Sequence, residues 1–206
     1  MIHYTAMTGG PEPALKRLCL PEAEVSAHYL VAEDGRVFRL VAEDNRAWHA
    51  GAGRWGACTD VNSASIGIEL SNTGAAPFAA AQMDALEDLL SDILARHAIP
   101  PCRVIGHSDA APGRKIDPGP RFDWRRLALK GLAVWPEPVD ERSDPIRFRR
   151  LAETAGYTAE IDDDTLLAAL RLRFRPSARG PLDPRDMGLV ATLAERFPVD
   201  AMRAEA

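Results

Sequence analysis

A mixed α/β domain, its central sheet flanked by helices and followed by a small all-α three-helix unit, is the fold class this sequence predicts. Three observations carry it. Short apolar runs that read as strands alternate with helical patterns along residues 1–137. One long segment, 78–97, repeats its apolar residues at the helical period. After Trp135-Pro-Glu-Pro138 the composition changes, and three short helical patterns follow.

Residues 2–5 read as a buried strand, and 11–24, with three prolines, as a loop holding a helical turn. Residues 26–31 and 36–41 form two strands joined across Glu33-Asp34-Gly35, a turn-forming tripeptide. The stretch 44–63 is rich in Gly, Ala, Asn and Asp and carries Trp48, His49 and Trp55; an irregular stretch of that length inside a domain points to function. Residues 65–70 are another strand. In the 78–97 helix Met83, Leu86, Leu90 and Ile93 make one stripe, and Pro100-Pro101 ends it. A strand over 103–106 leads into a Gly/Pro-rich loop, and Asp123 caps a short helix reaching Lys130. The expected organisation is a domain over 1–137, a linker over 138–144 and helices at 145–155, 163–174 and 184–197.

The chemistry concentrates on three strand ends. The first strand carries His3, the 65–70 strand carries Glu69, and the 103–106 strand runs into His107. The loop that follows, through Arg114, Lys115 and Asp117, adds a lysine and a carboxylate on a backbone shaped by Pro and Gly. Two imidazoles and an aspartate make a set of three zinc ligands that leaves a fourth position for water.

Five segments in order, Ile2-His-Tyr-Thr5, Val25-Ser-Ala-His-Tyr-Leu-Val31, Ala47-Trp-His-Ala-Gly51, Ser65-Ile-Gly-Ile-Glu-Leu70 and Gly106 through Pro120, resemble the zinc-dependent N-acetylmuramoyl-L-alanine amidases, amidase family 2, of the AmpD/AmiD type. The resemblance covers roughly residues 1–136. It implies one Zn2+ per chain held by His3, His107 and Asp117, with Glu69 as proton carrier and Lys115 as the cation for the developing oxyanion. It also implies a substrate groove, to which His28, Trp48, His49 and Asn62 are assigned, and Asp109 as an outer partner ordering the ligand loop. Residues 145–200 resemble the small helical peptidoglycan-binding unit that follows such domains. The implied reaction is hydrolysis of the amide between N-acetylmuramic acid, or its 1,6-anhydro form, and L-alanine of stem peptides, in bacterial cell-wall turnover or recycling. The rival reading is a non-catalytic peptidoglycan recognition module. One departure stands out: Asp60 occupies the place where AmpD-type relatives carry a groove arginine.

The whole chain narrows the partners. Among 206 residues 46% are hydrophobic, enough for a core, and a net charge of −5 argues against nucleic acid. Three widely spaced cysteines suggest reduced thiols rather than a disulfide framework. No apolar run reaches membrane-spanning length, and the N-terminus lacks the features of a signal peptide. That favours the cytoplasm, whereas the C-terminal unit favours the periplasm. A core strand starting at residue 1 raises the prospect of a missing upstream segment. A monomer is expected.

Overall fold

The computed structural model describes residues 1–200. Its centre is a four-stranded mixed sheet in the order β1-β4-β2-β3. Strands β1 (Ile2–Tyr4), β4 (Ile68–Leu70) and β2 (Tyr29–Val31) run parallel, and β3 (Val37–Arg39) closes the edge as the antiparallel arm of the predicted hairpin. The strands are short, and β1, β4 and β2 are buried in their apolar positions: Ile2, Leu30, Val31, Ile68 and Leu70 are sealed from solvent.

Helix α2 (Ala80–Arg96) covers one face of this sheet with the stripe read from the sequence: Met83, Leu86, Leu90 and Ile93 are all buried against Ile2, Val31 and Ile68. Gln82 is buried in the same helix and donates from Nε2 to the carbonyls of Val31 and Ser71, tying α2 to the end of β2. Helix α4 (Trp124–Leu129) starts as expected, with Asp123 accepting from Arg126 N–H at 2.9 Å.

Two local expectations differ. Residues 11–24 contain a two-turn helix, α1 (Glu12–Leu18), because Pro11 and Pro13 fall at the cap and in the first turn, where a missing N–H is harmless. The strand at 103–106 shrinks to a single bridge, Gly106 beside Ile2. Pro101 instead starts a 3-10 turn over Pro101–Arg103, and Gly106 leads straight into the one-turn helix α3 (His107–Ala110), leaving too few residues for a ladder. The bridge still docks this segment beside β1, with Ile2 N–H donating to Ile105 O at 2.9 Å.

Helices α5 (Pro145–Ala155), α6 (Asp163–Phe174) and α7 (Pro184–Arg196) each begin on an aspartate whose carboxylate accepts a first-turn N–H: Asp144, Asp162 and Asp183. Their apolar faces share one core with the first part of the chain. Phe148, Leu166, Leu170, Phe174, Met187 and Leu193 form a single cluster with Met1, Ala50, Trp55, Val61, Ile105 and Ala110. Gly156, at φ 118°, ends α5 where any Cβ would lie 2.5 Å from the Trp55 ring. The segment predicted as a linker lies against α7, with Glu141 N–H bonded to Pro184 O. The composition shift at 136–145 therefore marks a seam across which packing is continuous. No described helix is long and apolar enough to cross a membrane, and the three cysteines are free thiols.

Candidate active site

The parallel register sets the first part of the site. His3 of β1 stands opposite Glu69 of β4 on adjacent strands, so a ligand-type imidazole and a carboxylate share one rung and face one cleft. The bridge at Gly106 then delivers His107 at the start of α3. The loop after α3 folds back, with Ser108 N–H bonded to Asp117 O, and returns Asp117 to the same point.

Three atoms converge there. His3 Nδ1 lies 3.0 Å from His107 Nδ1 and 2.9 Å from Asp117 Oδ2, and His107 Nδ1 lies 3.1 Å from Asp117 Oδ2. All three residues are buried. The far sides of both rings say what these atoms are. His107 Nε2 lies 2.8 Å from the carbonyl of Ala50, which can only accept, so Nε2 carries the proton and Nδ1 presents a lone pair. His3 Nε2 lies 2.9 Å from His49 Nδ1, and His49 Nε2 faces Ser65 Oγ at 3.4 Å; Ser65 in turn donates to Val61 O. Run from His3 outward, this chain leaves His3 Nδ1 without a proton. A carboxylate and two imidazole lone pairs at mutual distances near 3 Å suit a small divalent cation, since ligands about 2.1 Å from a tetrahedral zinc sit about 3.4 Å apart.

The electrostatics agree. Burial lowers His3 to about 4, with Asp117 opposing and His107 adding to the fall, so this imidazole is neutral at physiological pH. His49 is held far below the usual imidazole range, first by burial and then by His3. Burial raises Asp117, but hydrogen bonds with His107 and His3 outweigh it and keep the carboxylate ionised. Glu69 behaves oppositely. Burial, reinforced by Asp117 and opposed by Lys115, pushes it up to about 8. Its Oε2 is buried and has no hydrogen-bond partner among the described residues.

The cleft has a volume of about 530 Å³ and is open along one side. His3, Glu69, His107 and Asp117 form its floor, Lys115 and Arg114 stand on one wall, and Arg17 of α1 on another. Arg114 is engaged with the carbonyls of Ala50 and Ala52. Neither the Lys115 ammonium nor the Arg17 guanidinium has an ion pair or side-chain hydrogen bond among the described residues, and of the two Lys115 sits on the loop that carries Asp117. Trp48, 54% exposed, and Ile116, 60% exposed, rise from the rim.

The predicted groove residues separate. Trp48 and His49 line the cleft; His28 and Asn62 do not. Both His28 ring nitrogens are used internally, Nδ1 accepting from Gly67 N–H and Nε2 facing Asn45 O. Asn62 Oδ1 accepts the N–H groups of His49 and Ala50 and so shapes the loop beneath the floor. Asp60 is exposed and pairs with Arg46, away from the cleft. Asp109 contacts no ligand directly; it accepts from Gly106 N–H, Tyr157 and Arg173. The pairing of His49 with His3 is what the sequence reading missed; the only sequence signal was His49's place in the Ala47-Trp-His-Ala-Gly51 segment.

Against known proteins, residues 1–120 match the Amidase_2 family, described as N-acetylmuramoyl-L-alanine amidase. The chain belongs to this amidase family. It is 35% identical to the N-acetylmuramoyl-L-alanine amidase AmiD of Escherichia coli, an alignment covering 97% of this chain and 83% of that protein. It is also 42% identical to the 1,6-anhydro-N-acetylmuramyl-L-alanine amidase AmpD of Enterobacter cloacae, over 50% of this chain and 55% of that one. Among solved structures, the E. coli AmiD complex with anhydro-N-acetylmuramic acid-L-Ala-D-γ-Glu-L-Lys superposes with a TM-score of 0.86 at 34% identity, covering 95% of this chain and 88% of that one. AmpDH3 of Pseudomonas aeruginosa also gives 0.86, at 31% identity, covering 95% and 90%. Both structural matches extend through the helical unit of the amidase, whereas the AmpD alignment spans half the chain.

Proposed function

We propose that this amidase hydrolyses the amide bond between N-acetylmuramic acid, or 1,6-anhydro-N-acetylmuramic acid, and the L-alanine of peptidoglycan stem peptides, with His3, His107 and Asp117 holding one zinc ion. The observation that carries the reading is the meeting of these three donor atoms on the floor of a cleft that also presents Glu69 and Lys115. Bound there, zinc would supply a Lewis acid for the scissile carbonyl and make water a usable nucleophile near neutral pH.

The protein's own groups account for the proton and charge movements. Glu69, raised by burial into the working range, takes a proton from the attacking water and returns it to the departing alanine nitrogen. A carboxylate with an ordinary pKa would be a weaker base and a poorer source of that second proton. Lys115 faces the same space with a free ammonium and offsets charge growing on the carbonyl oxygen. His49 and the Ala50 carbonyl fix the tautomers of the two histidines. Trp48 and Ile116 supply an apolar rim for the sugar and peptide.

Glu69→Gln tests the assignment. The variant is expected to bind one equivalent of zinc, measured by metal analysis, while release of L-alanyl peptide from an anhydromuropeptide falls at least about 1,000-fold, the combined loss of base and acid. Wild-type turnover in this variant would remove Glu69 from the mechanism.

A further inference from the structure

A buried ion pair joins the helical unit to the ligand loop. Arg173, in the last turn of α6, donates from Nη1 to Asp109 Oδ2 at 2.7 Å and from Nη2 to Val104 O at 3.1 Å, and its guanidinium lies 4.1 Å from the centre of the Trp124 ring. Tyr157, after α5, donates its hydroxyl to Asp109 Oδ1 at 2.8 Å. Asp109, Arg173 and Tyr157 are all sealed from solvent. Asp109 spends its remaining hydrogen bond on Gly106 N–H at 2.8 Å, the residue just before the ligand His107. One carboxylate thus connects two side chains of the C-terminal helices to the first turn of α3.

This arrangement exceeds what capping α3 requires. An exposed aspartate at this position could hold the Gly106 N–H without help. Here the carboxylate is buried, so it depends on a cation, and the cation comes from the far side of the seam. Arg173 is itself clamped by Trp124 and Phe174. Loss of Arg173 leaves the buried carboxylate, two residues from His107, without its cation and with a lost tether to α6, so that it takes up a proton, admits water or lets α3 move.

From this geometry we infer that Arg173 and Tyr157 are positioning residues for the metal centre: acting through Asp109, the C-terminal helices hold His107 in ligand geometry. The inference rests on the assignment of His3, His107 and Asp117 as the zinc site. It gives the helical unit a duty inside the hydrolase, separate from any affinity of that unit for cell wall.

The test compares two buried ion pairs in the full-length chain. Arg173→Met breaks the pair to Asp109. Arg171→Met breaks an equally buried pair, Arg171 with Asp186, that lies wholly within the helical unit. Zinc dissociation constants are measured by competition with a chromogenic chelator, and melting temperatures on the metal-free proteins. Both variants are expected to melt below wild type. Arg173→Met is expected to bind zinc about tenfold more weakly, the low end of what outer partners of metal ligands contribute, while Arg171→Met stays within about twofold of wild type by the same reasoning. Tyr157→Phe, which removes one hydroxyl, is expected to lose about threefold on that scale, and it carries the test if Arg173→Met does not fold. Wild-type zinc affinity in a folded Arg173→Met, or in Tyr157→Phe where the first variant fails, overturns the inference, as does an equal loss in Arg171→Met. Failure of the underlying site looks different: the wild-type chain takes up no zinc, or His107→Ala binds it unchanged.

Discussion

In the proposed mechanism Lys115 acts on Glu69 as well as on substrate, and that double duty can be separated by pH. Its positive charge lowers the Glu69 pKa, which burial and Asp117 raise. Replacing it by Met removes the opposing influence, so the carboxylate titrates higher and a larger fraction is protonated at neutral pH. Lys115→Met is expected to cut kcat about 100-fold through lost oxyanion stabilisation and to move the acidic limb of the kcat/KM profile to higher pH; an unmoved limb would separate the two residues. Glu69 also has a stability signature in chelator-treated protein. Its folded pKa of about 8 exceeds the unfolded value of 4.5, so the folded state holds this proton more tightly. Stability is full below pH 4.5 and declines as pH rises toward 8. Metal-free Glu69→Gln lacks that decline and is expected to melt several degrees above metal-free wild type at pH 8, with little difference at pH 4.5. At this scale the sequence was informative about which motif residues meet: His3, Glu69, His107, Lys115 and Asp117 line one cleft. It was silent where the role lies in a partner: Asn62 and His28 read as groove residues because their hydrogen bonds to loop and strand backbone leave no trace in a linear pattern.

Among the elements, β4 and the loop before it show how backbone shape serves a side chain. The His49 ring packs directly on Gly67, where a Cβ would lie 2.4 Å from Cγ and 2.6 Å from Nδ1. Gly67→Ala must therefore displace the imidazole that bonds His3. It is expected to weaken zinc binding about tenfold in chelator competition, with His49→Ala giving a loss of the same size and the double variant little more, since both remove one contact. Helix α2 was legible because its stripe at three- and four-residue spacing records a single buried face. Helix α1 was legible only as a single turn, because prolines in a first turn look like loop residues until the cap position is known. The 103–106 strand was over-read for a related reason: the β-branched pair Val104-Ile105 satisfies a strand pattern, yet the flanking turns leave one residue to pair.

Across the whole molecule the seam matters most. Trp55, Val61 and Ile105 of the first 137 residues share one buried cluster with the helices, and burial of one such large apolar side chain contributes roughly 1.5–3 kcal/mol. Truncation after residue 144 is accordingly expected to yield a chain that aggregates or melts without cooperativity, checked by soluble expression and calorimetry; a soluble, cooperatively melting fragment would contradict the shared core. The small size of the helical unit, about 60 residues, already points to its leaning on the first domain, but the sequence does not show which residues make the join. Arg173 reads as one more basic residue in a helix's last turn, and its partner Asp109 lies 64 positions away.

The rung shared by His3 and Glu69 has a consequence for how such an enzyme can diversify. Neighbouring strands keep a spacing of about 4.8 Å whatever their side chains, so the backbone gap between His3 and Glu69, the proposed ligand and proton carrier, is a constant of the ladder. Insertions or substitutions around Trp48 and Ile116 can reshape what enters without stretching that interval. Selection for new cell-wall fragments is thereby channelled to the mouth of the cleft, while the distance on which bond cleavage depends is inherited unchanged.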